Sequence, residues 1–257
     1  FTGVGEIQNK PLVKYVWKTI ERNIFPKLIN VFTVNHSIAN LYFKEYGVLP
    51  KVIRNLPHNS KIEKIKSKSD LKLPLNKTIV ILQGAGINID RGSEELLEAI
   101  AVQDQFFLCI VGKGDVIEKL KNRSKKNDLV NKVIFVNALP YNEMMQYTLN
   151  ADIGVSLDKD KNINHKFSLP NKIFDYIKAE IPILASDLIE ISNVISRYEV
   201  GYTISEISPD SILSGLNKVL KIKEESFLEV RFEKAINDLN WDKESKILIE
   251  TYKKISL

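Results

Sequence analysis

The sequence predicts a doubly wound α/β fold, a parallel sheet with helices on both faces. Two observations carry the prediction. From residue 78 onward, short runs that are apolar throughout alternate with amphipathic segments of helical period. Such runs belong to strands buried on both sides, because a sheet with one wet face would alternate apolar and polar residues. Glycines and polar residues then cluster where the runs end, where a parallel strand must turn into its crossover helix.

The elements follow in order. TIVILQG (78–84) reads as a buried strand, and SEELLEAIAVQ (93–103) as a helix with Leu96, Leu97 and Ile100 on one face. QFFLCIVG (105–112), NKVIFVN (131–137), ADIGVSL (151–157), IPILASD (181–187) and VGYTIS (200–205) read as five further strands. The segments 115–126, 141–150, 166–176 and 190–199 read as the intervening helices, and three more helices are expected near 209–222, 224–238 and 241–255. Upstream, VFTV (31–34) and KVIRN (51–55) read as short strands around a helix, HSIANLYFKEYG (36–47), closed by Gly47. Residues 56–77 turn polar and lysine-rich, with Pro57 and Pro74, and mark a boundary. The expected division is 1–55, a linker at 56–77, a main domain at 78–240 and a C-terminal helix at 241–257 that crosses back to the first unit.

With 257 residues, 44% of them hydrophobic, the chain buries a real core. The net charge of +5 comes from lysines spread over many segments, so nucleic acid is not the expected partner; anionic substrates or a membrane surface suit a mildly basic face. The lone Cys109 rules out an internal disulfide and agrees with a reducing, cytoplasmic setting. No apolar run reaches the roughly 18–20 residues of a membrane span. The chain opens on Phe1, and its helix-like first segment follows no strand, so a longer parent protein is expected. The three histidines form no metal-spaced pair, and no metal is expected.

In such sheets ligands bind at the carboxyl ends of the strands. Four loops lie there. QGAGINIDRG (83–92) carries three glycines that open backbone N–H groups to an anion, with Arg91 to stabilise phosphate; a tight strand-to-helix turn is the structural alternative. VGKGD (111–115) carries Gly112 and Gly114, with Asp115 as a cap for the next helix. ASDLIEIS (185–192) places Asp187 and Glu190 at a helix start, where capping is the expected role. LDKDKNINHKFSLPNK (157–172) is the informative loop. Its polar stretch of about ten residues exceeds the roughly two to six usual for α/β units. It ends in a helix whose first turn holds Pro170 and Lys172. A helix N-terminus carries partial positive charge, so Lys172 is mismatched there unless an anion is bound. Asp175 lies one turn on, and a Lys172–Asp175 surface pair is the bland alternative.

ILQGAGINIDRGSEELLEAI, FFLCIVGKGD, VIFVNALPYNEMMQYTLNADIGVSL and FSLPNKIFDYIKAEIPILASDLIEI, in this order and spacing, resemble the C-terminal half of a family-4 nucleotide-sugar glycosyltransferase of GT-B fold. VFTVNHSIANLYFKEYG and KVIRNLP resemble the end of that family's N-terminal domain. The resemblance implies two Rossmann-like domains across a cleft, a nucleoside-diphosphate sugar held by the C-terminal one, and a carbohydrate or lipid-linked acceptor on the other. It implies retention of configuration and no metal or other cofactor; with the mildly basic face, peripheral contact with the inner face of a membrane is a separate expectation. Lys172 and the N–H groups near Ser168, Leu169, Pro170 and Asn171 would meet the diphosphate, with Arg91 adding positive field. Gly84 and Gly86 would admit phosphate or sugar, Gly112 would border the base, and Asp175 would hold the ribose. Two departures stand out: Phe167 occupies the place of the family's first glutamate, and Ala85 that of a common arginine. The other readings are a non-catalytic nucleotide-sugar binder and, on the same architecture, a nucleotide-sugar epimerase, which would need a carboxylate and histidine set in the cleft.

Overall fold

The computed structural model describes residues 10–60, 62, 65–126 and 128–255. The first unit runs α1 (Pro11–Ile24), a 3-10 turn (Phe25–Lys27), β1 (Phe32–Thr33), α2 (His36–Tyr46) and β2 (Lys51–Val52). The main unit runs β3 (Thr78–Gly84), α3 (Ser93–Ala101), β4 (Phe106–Gly112), α4 (Ile117–Ser124), β5 (Val133–Val136), α5 (Tyr141–Leu149), β6 (Ile153–Ser156), α6 (Ile163–Lys166), α7 (Asn171–Lys178), β7 (Ile183–Ser186), α8 (Ile189–Tyr198), β8 (Gly201–Ile204), α9 (Pro209–Lys223) and α10 (Leu228–Asp238). The chain closes on α11 (Trp241–Ile255). The part of the first segment before Lys10 lies outside the described residues.

The six main strands are parallel, in the order β5-β4-β3-β6-β7-β8. Apolar side chains alternate across this sheet as its pleat requires. Ile79 and Ile81 of β3 enter the core beneath α7, α8 and α10, while Val80 and Leu82 enter the core beneath α3, α4 and α9. Leu56, Leu71 and Leu73 of the polar connecting segment also bury into the first of these cores. Cys109 lies there too, and burial pushes its thiol up to about 12.

The order reverses direction between β3 and β6, which pair only at Val80↔Ile153 and Ile81↔Gly154. Beyond that point a fully buried Tyr176 fills the split between them. Its hydroxyl faces the carbonyls of Ile81 and Val155 at 3.3 and 3.1 Å and accepts from the Gln83 N–H at 3.4 Å. Gly154 makes room for the ring: a Cβ there would stand 2.4 Å from it. Gly154→Ala is therefore expected to cost about 1–3 kcal/mol by overpacking, read as a lower denaturant midpoint at constant slope.

The first unit is a parallel βαβ piece, with Phe32↔Lys51 and Thr33↔Val52 in register. β2 stops short of the expected 51–55 because Arg54 turns away: its N–H and guanidinium all donate to the buried Glu244 of α11, at 2.7–3.0 Å. Lys51 Nζ also meets Thr251 Oγ1 of α11 at 3.0 Å. α1 and the turn after it rest on α2: Lys18 meets Glu45 and Tyr46, the Tyr46 hydroxyl donates to Glu21, and Phe25 stacks on Tyr42. Its apolar stripe, with Leu12, Val16 and Ile20, faces outward.

Candidate active site

The site forms where β3 and β6 part. Gly84 and Gly112 end neighbouring strands in register, yet they differ in kind. A Cβ on Gly84 or Gly86 would meet nothing closer than 3.9 Å. One on Gly112 or Gly114 would stand 1.9 Å from a carbonyl oxygen of Gly84 or Ile87. Gly84 and Gly86 therefore leave open space for a ligand, and close strand and loop packing accounts for glycine at 112 and 114. The second loop braces the first. Asp115 Oδ1 accepts from the Ile89 N–H at 3.0 Å, and Asn88 Oδ1 accepts from the Asp115 N–H at 3.2 Å. Asp115 thus caps the neighbouring loop rather than α4, which starts two residues later without a side-chain cap.

Arg91 is set between two residues of positive φ, Asp90 at 64° and Gly92 at 69°. Gly92 is required twice over, by that φ and by Leu157, whose carbonyl a Cβ would meet at 2.5 Å. This close approach brings Arg91 to the end of β6, where its Nη1 donates to Asp158 Oδ1 at 2.7 Å. The Asp158 side chain is fully buried, and its Oδ2 has no hydrogen-bond partner among the described residues. Ser156 Oγ and Ser168 Oγ are buried and unpartnered in the same way.

The long loop after β6 is partly ordered by α6, a single turn capped by Asn162, whose Oδ1 accepts from the N–H groups of Asn164 and His165. α7 begins at Asn171, inside the expected 166–176, with Pro170 as its N-cap rather than in its first turn, no side-chain cap and no acidic residue in that turn. Ile173, Phe174 and Ile177 face the core. Lys172 points to the other cluster. Burial pushes its ammonium below the usual lysine range; Asp158 opposes this and Arg91 adds to it. Among the described residues no hydrogen bond or salt bridge reaches it, so the Lys172–Asp175 surface pair does not form.

Asp175 is buried instead. Its Oδ2 accepts from Gln83 Nε2 at 3.0 Å and its Oδ1 from the Tyr141 hydroxyl at 3.1 Å. Gln83 is oriented by Thr148, whose hydroxyl donates to its Oε1 at 2.6 Å. Burial raises the Asp175 carboxyl to about 6, while the Tyr141 and Gln83 hydrogen bonds pull it down. Asp175 lines a cavity of about 490 Å³ with Tyr141, Asn142, Asn171, Lys178 and His58. Leu169 lines a second one, of about 380 Å³, with Asn35, Arg54 and Glu190. Glu190 caps a helix, but a distant one: its Oε1 accepts from the Ser37 N–H of α2 at 2.8 Å.

The structure thus groups Arg91 and Lys172 around Asp158, beside the uncapped start of α7, and sets Asp175 apart with Gln83 and Tyr141. Asp158, Gln83, Tyr141 and Asn35 are the members that sequence reasoning missed. Only Asp158 left a signal, as the first carboxylate after the strand at the reversal point. Among the described residues no three His, Cys, Asp or Glu side chains gather as a metal site, and no helix is long and apolar enough to cross a membrane.

Solved structures share this architecture. A glycosyltransferase from Rickettsia africae ESF-5 matches at TM-score 0.72 and 17% identity, over 93% of this chain and 67% of that one. Sucrose-phosphate synthase from Thermosynechococcus elongatus matches at TM-score 0.76 and 16% identity, over 94% of this chain and 62% of that one. HepE from Anabaena, crystallised with UDP-glucose, matches at TM-score 0.75 and 15% identity, over 92% of this chain and 67% of that one. The chain spans at most 67% of the length of any of the three. No curated protein matches the sequence. Residues 63–237, more than half of the chain and the whole of the parallel sheet, match the family of glycosyl transferases group 1, and the chain belongs to that family.

Proposed function

We propose that this chain carries the donor-binding half of a glycosyltransferase that moves a sugar from a nucleoside-diphosphate sugar to an acceptor hydroxyl, with retention at the anomeric carbon. The acceptor is a carbohydrate or a lipid-linked glycan. One observation carries the reading: two cations converge beside an uncapped helix start at the strand-order reversal, Arg91 paired with the buried Asp158 and Lys172, unpaired among the described residues, within the field of both. When the bond from the anomeric carbon to the diphosphate breaks, its electron pair stays on phosphate. Fixed cations and helix N–H groups stabilise that charge as it develops, which lowers the barrier. The open backbone at Gly84 and Gly86 leaves room for phosphate or sugar, and Asp175 offers a carboxylate to the ribose hydroxyls. In this reading charged side chains, not a metal, hold the leaving group.

UDP-glucose is the first donor to test, because HepE was crystallised with it. A thermal-shift screen of UDP-, GDP-, ADP- and CMP-sugars should raise the melting temperature by about 5 °C or more for the matching donor at a hundredfold excess over its Kd. No shift with any diphosphate sugar sinks the proposal. Phe167 favours a second reading, a binder without turnover; a clear shift with no transfer or donor hydrolysis by the full-length protein would select it.

A further inference from the structure

We propose that Asn35 is a positioning residue for the donor site, through which the first unit holds the loop that presents Lys172 and the α7 N-terminus to the diphosphate. The proposal rests on the donor reading above. Asn35 is 1% exposed and works in two directions. Its Oδ1 caps α2 by accepting from the Ile38 N–H at 2.9 Å, and its Nδ2 donates to the Phe167 carbonyl at 2.7 Å. The Phe167 carbonyl and the Ser168 N–H belong to one planar peptide. That N–H donates to the His165 carbonyl at 3.0 Å, so the peptide is pinned at both ends, one of them by a residue 132 positions away. The locked plane immediately precedes Ser168–Pro170 and sets the direction from which α7 starts. Glu190, holding the Ser37 N–H, fixes the same end of α2 against α8. Without the Asn35 amide the Phe167 carbonyl loses its donor, and the loop is free to rotate. Small misplacements of charge-stabilising groups are costly in such sites.

Asn35→Ser separates the two roles, since serine caps a helix as well as asparagine but has no amide to reach Phe167. The control is Gly47→Ala, which strains the far end of the same helix, where φ is 72°. Hydrogen exchange over residues 163–172 would be measured on the free protein, and UDP and uridine binding by calorimetry. Asn35→Ser should speed exchange in that segment, weaken UDP about tenfold and leave uridine unchanged, with a melting temperature lowered by no more than Gly47→Ala lowers it. Gly47→Ala should lower the melting temperature and leave UDP affinity alone. Unchanged exchange, faster exchange with unchanged UDP affinity, or an equal UDP loss in Gly47→Ala each overturns the role. A wild-type chain that binds no nucleoside diphosphate overturns the donor reading itself, and this role falls with it; that result is distinct from wild type and Asn35→Ser binding equally.

Discussion

Replacing Lys172 by alanine is expected to slow sugar transfer by about 10²- to 10³-fold, the usual loss when one pre-placed group that stabilises developing negative charge is removed. The fold should not suffer. Burial holds the Lys172 ammonium below its ordinary pKa, so the native state disfavours the charge that the unfolded chain carries freely. A lysine with a depressed folded pKa destabilises the native state wherever it is charged, and that penalty fades as pH rises through the folded pKa. The alanine variant should therefore melt at or above the wild-type temperature at neutral pH. Calorimetry separates the roles. UDP binding should weaken far more than uridine binding, because only the diphosphate meets the ammonium. Equal losses for both ligands would remove Lys172 from the phosphate site.

Asp175→Asn should trade binding for stability in a pH-dependent way. The folded carboxyl titrates near 6, above its ordinary 3.8, chiefly because burial penalises the ion. A raised folded pKa means that the native state holds the proton more tightly than the unfolded chain does. The carboxyl is thus harmless below about pH 4, and the protein loses stability as pH rises from 3.8 to about 6, with no further loss above. Two units correspond to roughly 3 kcal/mol, and Asn loses part of the gain because its amide cannot accept from both Gln83 and Tyr141. A net gain of about 1–2 kcal/mol at neutral pH is expected, together with a flatter stability profile across that window. Donor binding moves the opposite way: wild-type affinity should fall as pH drops below about 6, and the Asn variant should bind about tenfold more weakly above it. Melting curves and calorimetry across the window check both signs. A variant that keeps the wild-type slope would show that another group titrates there.

Much of this is legible in the sequence. TIVILQG and FFLCIVG are apolar nearly throughout, too short for a buried helix and closed by glycine, which reads as a strand buried on both faces, and the helices between them follow from their apolar period. The clash between Lys172 and its helix end was equally plain, because helix electrostatics is local. What stayed hidden depends on partners far along the chain. The Arg91–Asp158 pair spans 67 positions and the Gln83–Asp175 bond 92, and no spacing rule links such residues. Asp115 and Glu190 read as caps of their own helices in the sequence, and each caps something else in the structure, because a carboxylate at the end of a strand meets several orphan N–H groups at once. The segment around α6 read as open loop because its four-residue turn is too short for any period to show.

Tyr176 has a consequence for how such a protein changes over time. Its ring packs on Gly154, its hydroxyl bridges the two strands that part, and it sits on the same short helix as Lys172 and Asp175. The width of the opening and the placement of both proposed donor-site residues are therefore one mechanical part, seated in the core. Donor preference is free to drift in the loops after β3 and β6, which can lengthen or exchange side chains without disturbing that part. Mutational libraries aimed at new sugars belong in residues 85–90 and 159–166, with Tyr176 and Gly154 left untouched.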